Sequence, residues 1–134
     1  MTSLLFVYGT LKNGHSRFKN LSKQRYIGIA KTSPEYSMYQ VQTYPALVKC
    51  NNGRKIYGEL YEVDSECLKV LDNIEGVDFN LFKREEIILE EISIINLPLS
   101  QICFSNLYQK KAEAYLYQRP IDELKNMGIF WPLT

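Results

Sequence analysis

Residues 4–8 read Leu4-Leu5-Phe6-Val7-Tyr8, a short continuous apolar run closed by Gly9. A run of this kind, without alternation and ended by a turn residue, predicts a buried strand with both faces covered. The aromatic content agrees, because ten Tyr and six Phe in 134 residues suit a β-rich fold in which rings pack on pleated surfaces. The length fits one domain over residues 1–134, and a chain of this size buries about two-thirds of its unfolded surface without a disulfide or metal staple.

Further strands are predicted at Arg25–Lys31, Met38–Val41 and Ala46–Cys50, the last two parted by Tyr44-Pro45. Asn51-Asn52-Gly53 is a turn signal, and Ile56–Val63 follows it as a strand. Asp64–Asp72 predicts a helix capped by Asp64 or Ser65, with Leu68 and Leu71 facing the core and Glu75-Gly76 ending it. Leu81–Glu90 and Ala112–Tyr117 complete the strands, and residues 15–22 predict a short helix. The segment 96–110 reads as a loop or excursion, and the tail to Trp131-Pro132 as a short helix or an extended arm. The fold class is α+β, a small mixed β-barrel or curled sheet with a few flanking helices.

Net charge is +1, which favours neither nucleic acid nor an anionic membrane as partner. Lys12 to Arg25 carries five basic residues, His15 and no acid, and reads either as a solvated face or as a mildly positive rim. Cys50, Cys67 and Cys103 form no CxxC pair, so no zinc or redox motif is signalled. Three thiols and an N-terminus without basic residues predict a reduced, cytoplasmic setting. GxGxxG, the P-loop pattern and GxSxG are absent, and His15, the single histidine, follows a turn. Proton transfer in such a chain falls to Glu, Asp, Tyr, Lys or Cys.

Three segments carry chemistry together. At Tyr8-Gly9-Thr10-Leu11 a buried strand turns at glycine, which frees backbone N–H groups suited to a carboxylate or an oxyanion. Leu71-Asp72-Asn73-Ile74-Glu75-Gly76 sets a carboxylate where a helix unwinds, read either as an acid/base or as a solvated helix end. Phe82 and Arg84, two apart on a strand, share one face, as a ring and a carboxylate clamp or as ordinary alternation.

In this order and spacing the segments resemble the γ-glutamylcyclotransferase-like superfamily, including its γ-glutamylamine branch and its plant avirulence-induced relatives. The resemblance rests on Val7-Tyr8-Gly9-Thr10-Leu11-Lys12, Tyr44-Pro45, Gly58-Glu59-Leu60-Tyr61-Glu62-Val63, Leu71-Asp72-Asn73-Ile74-Glu75, and the late strand Ala114-Tyr115-Leu116-Tyr117. Phe82 departs from the pattern, standing where the family usually carries Tyr, and residues 92–111 match nothing in it.

The resemblance implies a small mixed barrel and an intramolecular aminolysis that releases 5-oxoproline and an amine from a small γ-glutamyl substrate. It implies Glu75 as the catalytic acid/base, with Tyr8, Gly9, Thr10, Leu11, Phe82, Arg84 and Tyr115 binding substrate and no metal or cofactor. The Phe82 departure suits a rival reading, a domain of the same fold that binds a small ligand or partner without turnover.

Overall fold

The computed structural model describes residues 2–8, 21, 23–41, 44–94 and 111–129. Eight strands occur among them in one sheet: β1 (Thr2–Val7), β2 (Arg25–Thr32), β3 (Tyr36–Val41), β4 (Tyr44–Lys49), β5 (Tyr57–Asp64), β6 (Phe82–Ile94), β7 (Lys111–Tyr117) and β8 (Lys125–Gly128). One helix, α1 (Ser65–Ile74), and a 3-10 turn, Val77–Phe79, lie between β5 and β6.

The sheet closes on itself. β1, β5, β2, β6 and β7 pair in that order with antiparallel neighbours, and β7 returns to β1 in parallel through Leu5 and Glu113. A five-stranded mixed barrel results, as the sequence predicts, and β4, β3 and β8 extend it from β7. Irregular pairing between Tyr26 and Gly28 and between Lys31 and Thr32 bends β2, the local curvature that closing five strands requires.

The apolar run at β1 is buried on both faces. Leu4, Phe6 and Tyr8 point into the barrel with Ile27, Met38, Leu47, Leu60, Ile87 and Ala114. Leu5 and Val7 point outward into a second core with Tyr61, Leu68, Leu71, Phe82 and Tyr115. A strand serving two cores has no solvent face, which is why its sequence lacks alternation. Gly58 on β5 is a consequence of the tight interior: a Cβ there would lie 2.4 Å from the Val7 carbonyl oxygen and 2.5 Å from the Phe6 ring.

Helix α1 covers the outer core. Asp64 caps it, its Oδ1 accepting the Cys67 N–H at 2.8 Å. Leu68 and Leu71 supply the buried stripe, each contributing about 1.5–3 kcal/mol by leaving water. Gly76 ends the helix in the left-handed region at φ 68°, and its carbonyl accepts the Phe79 and Leu81 N–H groups.

Three expectations are corrected. Tyr44-Pro45 opens β4 rather than parting it from β3, because Pro45 precedes the point at which β4 meets β7 at Leu47 and no ladder N–H is needed there. β6 runs on past Glu90 to Ile94, since Glu91 faces Lys31 across the strand pair at 3.6 Å and its charge is accommodated. Residues 125–128 of the tail are a strand on β3. Most of the expected helix at 15–22 and all of segment 96–110 lie outside the described residues.

Candidate active site

Tyr8, just after β1, and Asp72, in the last turn of α1, both bond Tyr115 of β7. Tyr8, immediately after β1, points its ring into the barrel and is 6% exposed. Its hydroxyl donates to the Tyr115 carbonyl on β7 and accepts the Leu47 N–H of β4 at 3.3 Å. Tyr8 thus joins three strands, and its hydroxyl is committed to backbone groups. Burial pushes this phenol well above its ordinary range, and the negative charge of Glu75 pushes it further; the Leu47 N–H acts the other way.

Glu75 is the C-cap of α1, its N–H donating to the Leu71 carbonyl at 2.8 Å. It is 8% exposed, which contradicts a solvated helix end. A carboxylate placed so deeply at a helix end, where the dipole offers no compensation, is costly to bury unless it is paired or hydrogen-bonded. Its charge bears on both Tyr8 and Tyr115. Phe79 does not enclose it: the 3-10 turn aims that ring outward, 76% exposed.

Tyr115 points to the outer core, 3% exposed, and donates its hydroxyl to Asp72 Oδ1 at 2.7 Å. Burial raises its pKa most, followed by the Asp72 hydrogen bond and charge, while Arg84 lowers it and Glu75 raises it. Arg84 on β6 is the cross-strand neighbour of Tyr115. Its Nε lies 3.2 Å from Asp72 Oδ1 and its Nη1 3.5 Å from Glu113 Oε1, so the chain's own carboxylates engage it. Phe82 packs in the outer core against Tyr117 and Tyr44, with ring centroids 5.4 and 6.1 Å apart. The ring fills a closed aromatic slot, so Phe in place of Tyr keeps the packing and gives up a hydroxyl.

Of the expected site residues, Tyr8 and Tyr115 are joined by a hydrogen bond, the charge of Glu75 bears on both, and Arg84 lies beside Tyr115 across the strand pair. Phe82 shares that outer face but is buried among aromatic rings. Gly9, Thr10 and Leu11 lie outside the described residues. Asp72 and Glu113 are the additions: Asp72 stands three residues before Glu75, a spacing that puts both on one side of a helix, which was a usable signal. Among the described residues no three or more His, Cys, Asp or Glu converge as a metal site, and no helix is long and apolar enough to cross a membrane.

A profile of the family described as gamma-glutamyl cyclotransferase, AIG2-like, matches residues 5–129. The chain belongs to the gamma-glutamyl cyclotransferase, AIG2-like family. A putative gamma-glutamylcyclotransferase of Vibrio cholerae is 40% identical over 77 residues, 58% of this chain and 65% of that protein. Gamma-glutamylaminecyclotransferase A of Danio rerio is 34% identical over 94 residues, 64% of this chain and 58% of that protein. The matches thus span less than two-thirds of either relative. Among solved structures, an AIG2-like protein of Mus musculus superposes with a TM-score of 0.67 at 21% identity, over 88% of this chain and 77% of that one. A uropathogenic E. coli-specific protein superposes with a TM-score of 0.72 at 17% identity, over 95% of this chain and 88% of that one. At these identities the two structures show the family's fold.

Proposed function

We propose that the chain is a γ-glutamylcyclotransferase acting on a small γ-glutamyl amine or γ-glutamyl amino acid, with Glu75 as acid/base. The observation that carries this reading is a buried carboxylate, 8% exposed, at the end of a docked helix in a chain of this family. In the proposed reaction the α-amine of the γ-glutamyl group attacks its own γ-carbonyl. A C–N bond closes the five-membered ring, the original γ-amide C–N bond breaks, and 5-oxoproline and an amine result. Glu75 takes a proton from the α-ammonium and returns it to the leaving amine, so one carboxyl serves both transfers. The backbone N–H groups of Gly9, Thr10 and Leu11 are assigned to the substrate's carboxylate or developing oxyanion. Because both reacting groups belong to one molecule, holding it in the cyclising conformation supplies much of the acceleration.

The reading assigns Tyr8 and Tyr115 to the wall of the site, Tyr8 through its ring and backbone. It assigns Phe82 to packing behind that wall, and the setting to the cytoplasm. No metal or cofactor is needed to balance the reaction. The test is a panel of γ-glutamyl amines, γ-glutamyl amino acids and glutathione assayed for 5-oxoproline. Turnover of the first two above glutathione supports the reading. Turnover of glutathione alone reverses the substrate order, and binding without any 5-oxoproline overturns the reading in favour of a ligand-binding domain.

A further inference from the structure

Asp72 sits in the last turn of α1, where no basic residue offsets the negative end of the helix dipole. The compensation comes from the barrel wall. Tyr115 of β7 gives Asp72 Oδ1 a hydrogen bond of 2.7 Å, and Arg84 of β6 brings its Nε to 3.2 Å of the same oxygen. The two contacts differ in kind. The tyrosine makes the aligned bond, whereas Arg84 Nε makes no hydrogen bond and contributes charge. Arg84 is held in turn by Glu113, so four side chains from α1, β6 and β7 form one strap.

Tyr115 is the point where this strap meets the candidate site. Its hydroxyl ties down Asp72, and its carbonyl accepts the hydroxyl of Tyr8. The last turn of α1, and Glu75 directly after it, is thereby referenced to Tyr8 through one residue. A proton-transfer group must stand within hydrogen-bond reach of its proton, and a displacement of about 1 Å costs roughly 10²-fold in rate.

We propose that Asp72 and Arg84 are a positioning pair, which fixes Glu75 over the site by holding the last turn of α1 to Tyr115. The inference rests on the assignment of Glu75 above. It gives Arg84 a role within the protein in place of clamping a substrate carboxylate. Partly exposed ion pairs add little stability, and side-chain exposures of 26% for Arg84 and 29% for Asp72 place this pair in that class. Its effect on rate is therefore separable from any effect on folding.

The experiment compares Asp72→Asn, Arg84→Met, Tyr115→Phe and the double variant D72N/Y115F with the parent chain. Asn keeps an acceptor for the tyrosine and removes the charge. Each single variant is expected to lower kcat about 10- to 100-fold with KM within about 2-fold, and the double variant to fall no further than the worse single one. A rise in KM at unchanged kcat in Asp72→Asn or Arg84→Met would put that pair on the substrate and overturn the proposal. Unchanged kcat per folded molecule, or fully multiplicative losses, would do the same.

Amide exchange at Glu75 and Gly76 gives a second readout that needs no turnover. Faster exchange there in D72N and Y115F, with the amides of β5 unchanged, is expected. Unaltered exchange at those two amides overturns the positioning role. Should the parent chain turn over no γ-glutamyl compound, the functional reading fails, and the positioning role stands or falls on exchange alone.

Discussion

Replacing Gly58 with Ala tests how closely the barrel interior is packed beside the candidate site. The added methyl would lie 2.4 Å from the Val7 carbonyl oxygen and 2.5 and 2.7 Å from two atoms of the Phe6 ring. Backbone cannot yield as a flexible side chain would, and Phe6 is 0% exposed in the middle of the inner core, so the ring has little room to turn. Overpacking of this kind costs about 1–3 kcal/mol. For 134 residues, an unfolding entropy near 2.1 cal/mol/K per residue makes each kcal/mol worth about 3.6 °C. Gly58→Ala is thus expected to lower Tm by roughly 4–11 °C in calorimetry, with a matching fall in the urea midpoint at constant m. Relief of the clash must move the Val7–Tyr8 peptide, so 5-oxoproline formation should fall as well. A melting temperature within about 1 °C of the parent would refute the reasoning, because it would mean that β5 and β1 do not approach as described.

Asp64→Ala removes the acceptor of the Cys67 N–H at the start of α1; a loss of about 1 kcal/mol, or roughly 4 °C, is expected in a thermal melt, with Asp64→Ser recovering most of it. The buried phenols Tyr8, Tyr61 and Tyr115 are all raised above their ordinary value of 10.0, chiefly by burial. Above that pH the unfolded chain loses these protons and the folded chain keeps them, so their contribution is whole below pH 10 and lost as pH rises. Stability is expected to fall by up to ~1.4 kcal/mol per pH unit for each phenol in alkaline urea titrations, and a flat profile to about pH 11.5 would count against their burial.

The sequence made the two-faced burial of β1 readable because five apolar residues without alternation leave no solvent side. The end of α1 was readable too, since Glu75-Gly76 combines a helix stop with the residue type most at ease at φ 68°. Partners across the fold were not readable. Spacing puts Phe82 and Arg84 on one face of β6 but says nothing of what lies opposite, and Asp72 arrives there from another element. Nearness in sequence to Glu75 likewise does not fix where the 3-10 turn aims the Phe79 ring. Lys125-Asn126-Met127-Gly128 has little strand propensity, and its place beside β3 is set by tertiary pairing.

The most direct test of the account is Glu75→Gln. The amide keeps the side chain's size and its capacity for hydrogen bonds, but it cannot carry a proton between the attacking and leaving amines. With a γ-glutamyl amine as substrate, the rate of 5-oxoproline formation is expected to drop by about 10²–10⁴-fold, while the circular dichroism spectrum stays that of the parent and Tm does not fall. A folded Glu75→Gln protein that forms 5-oxoproline at the parental rate would contradict the central claim.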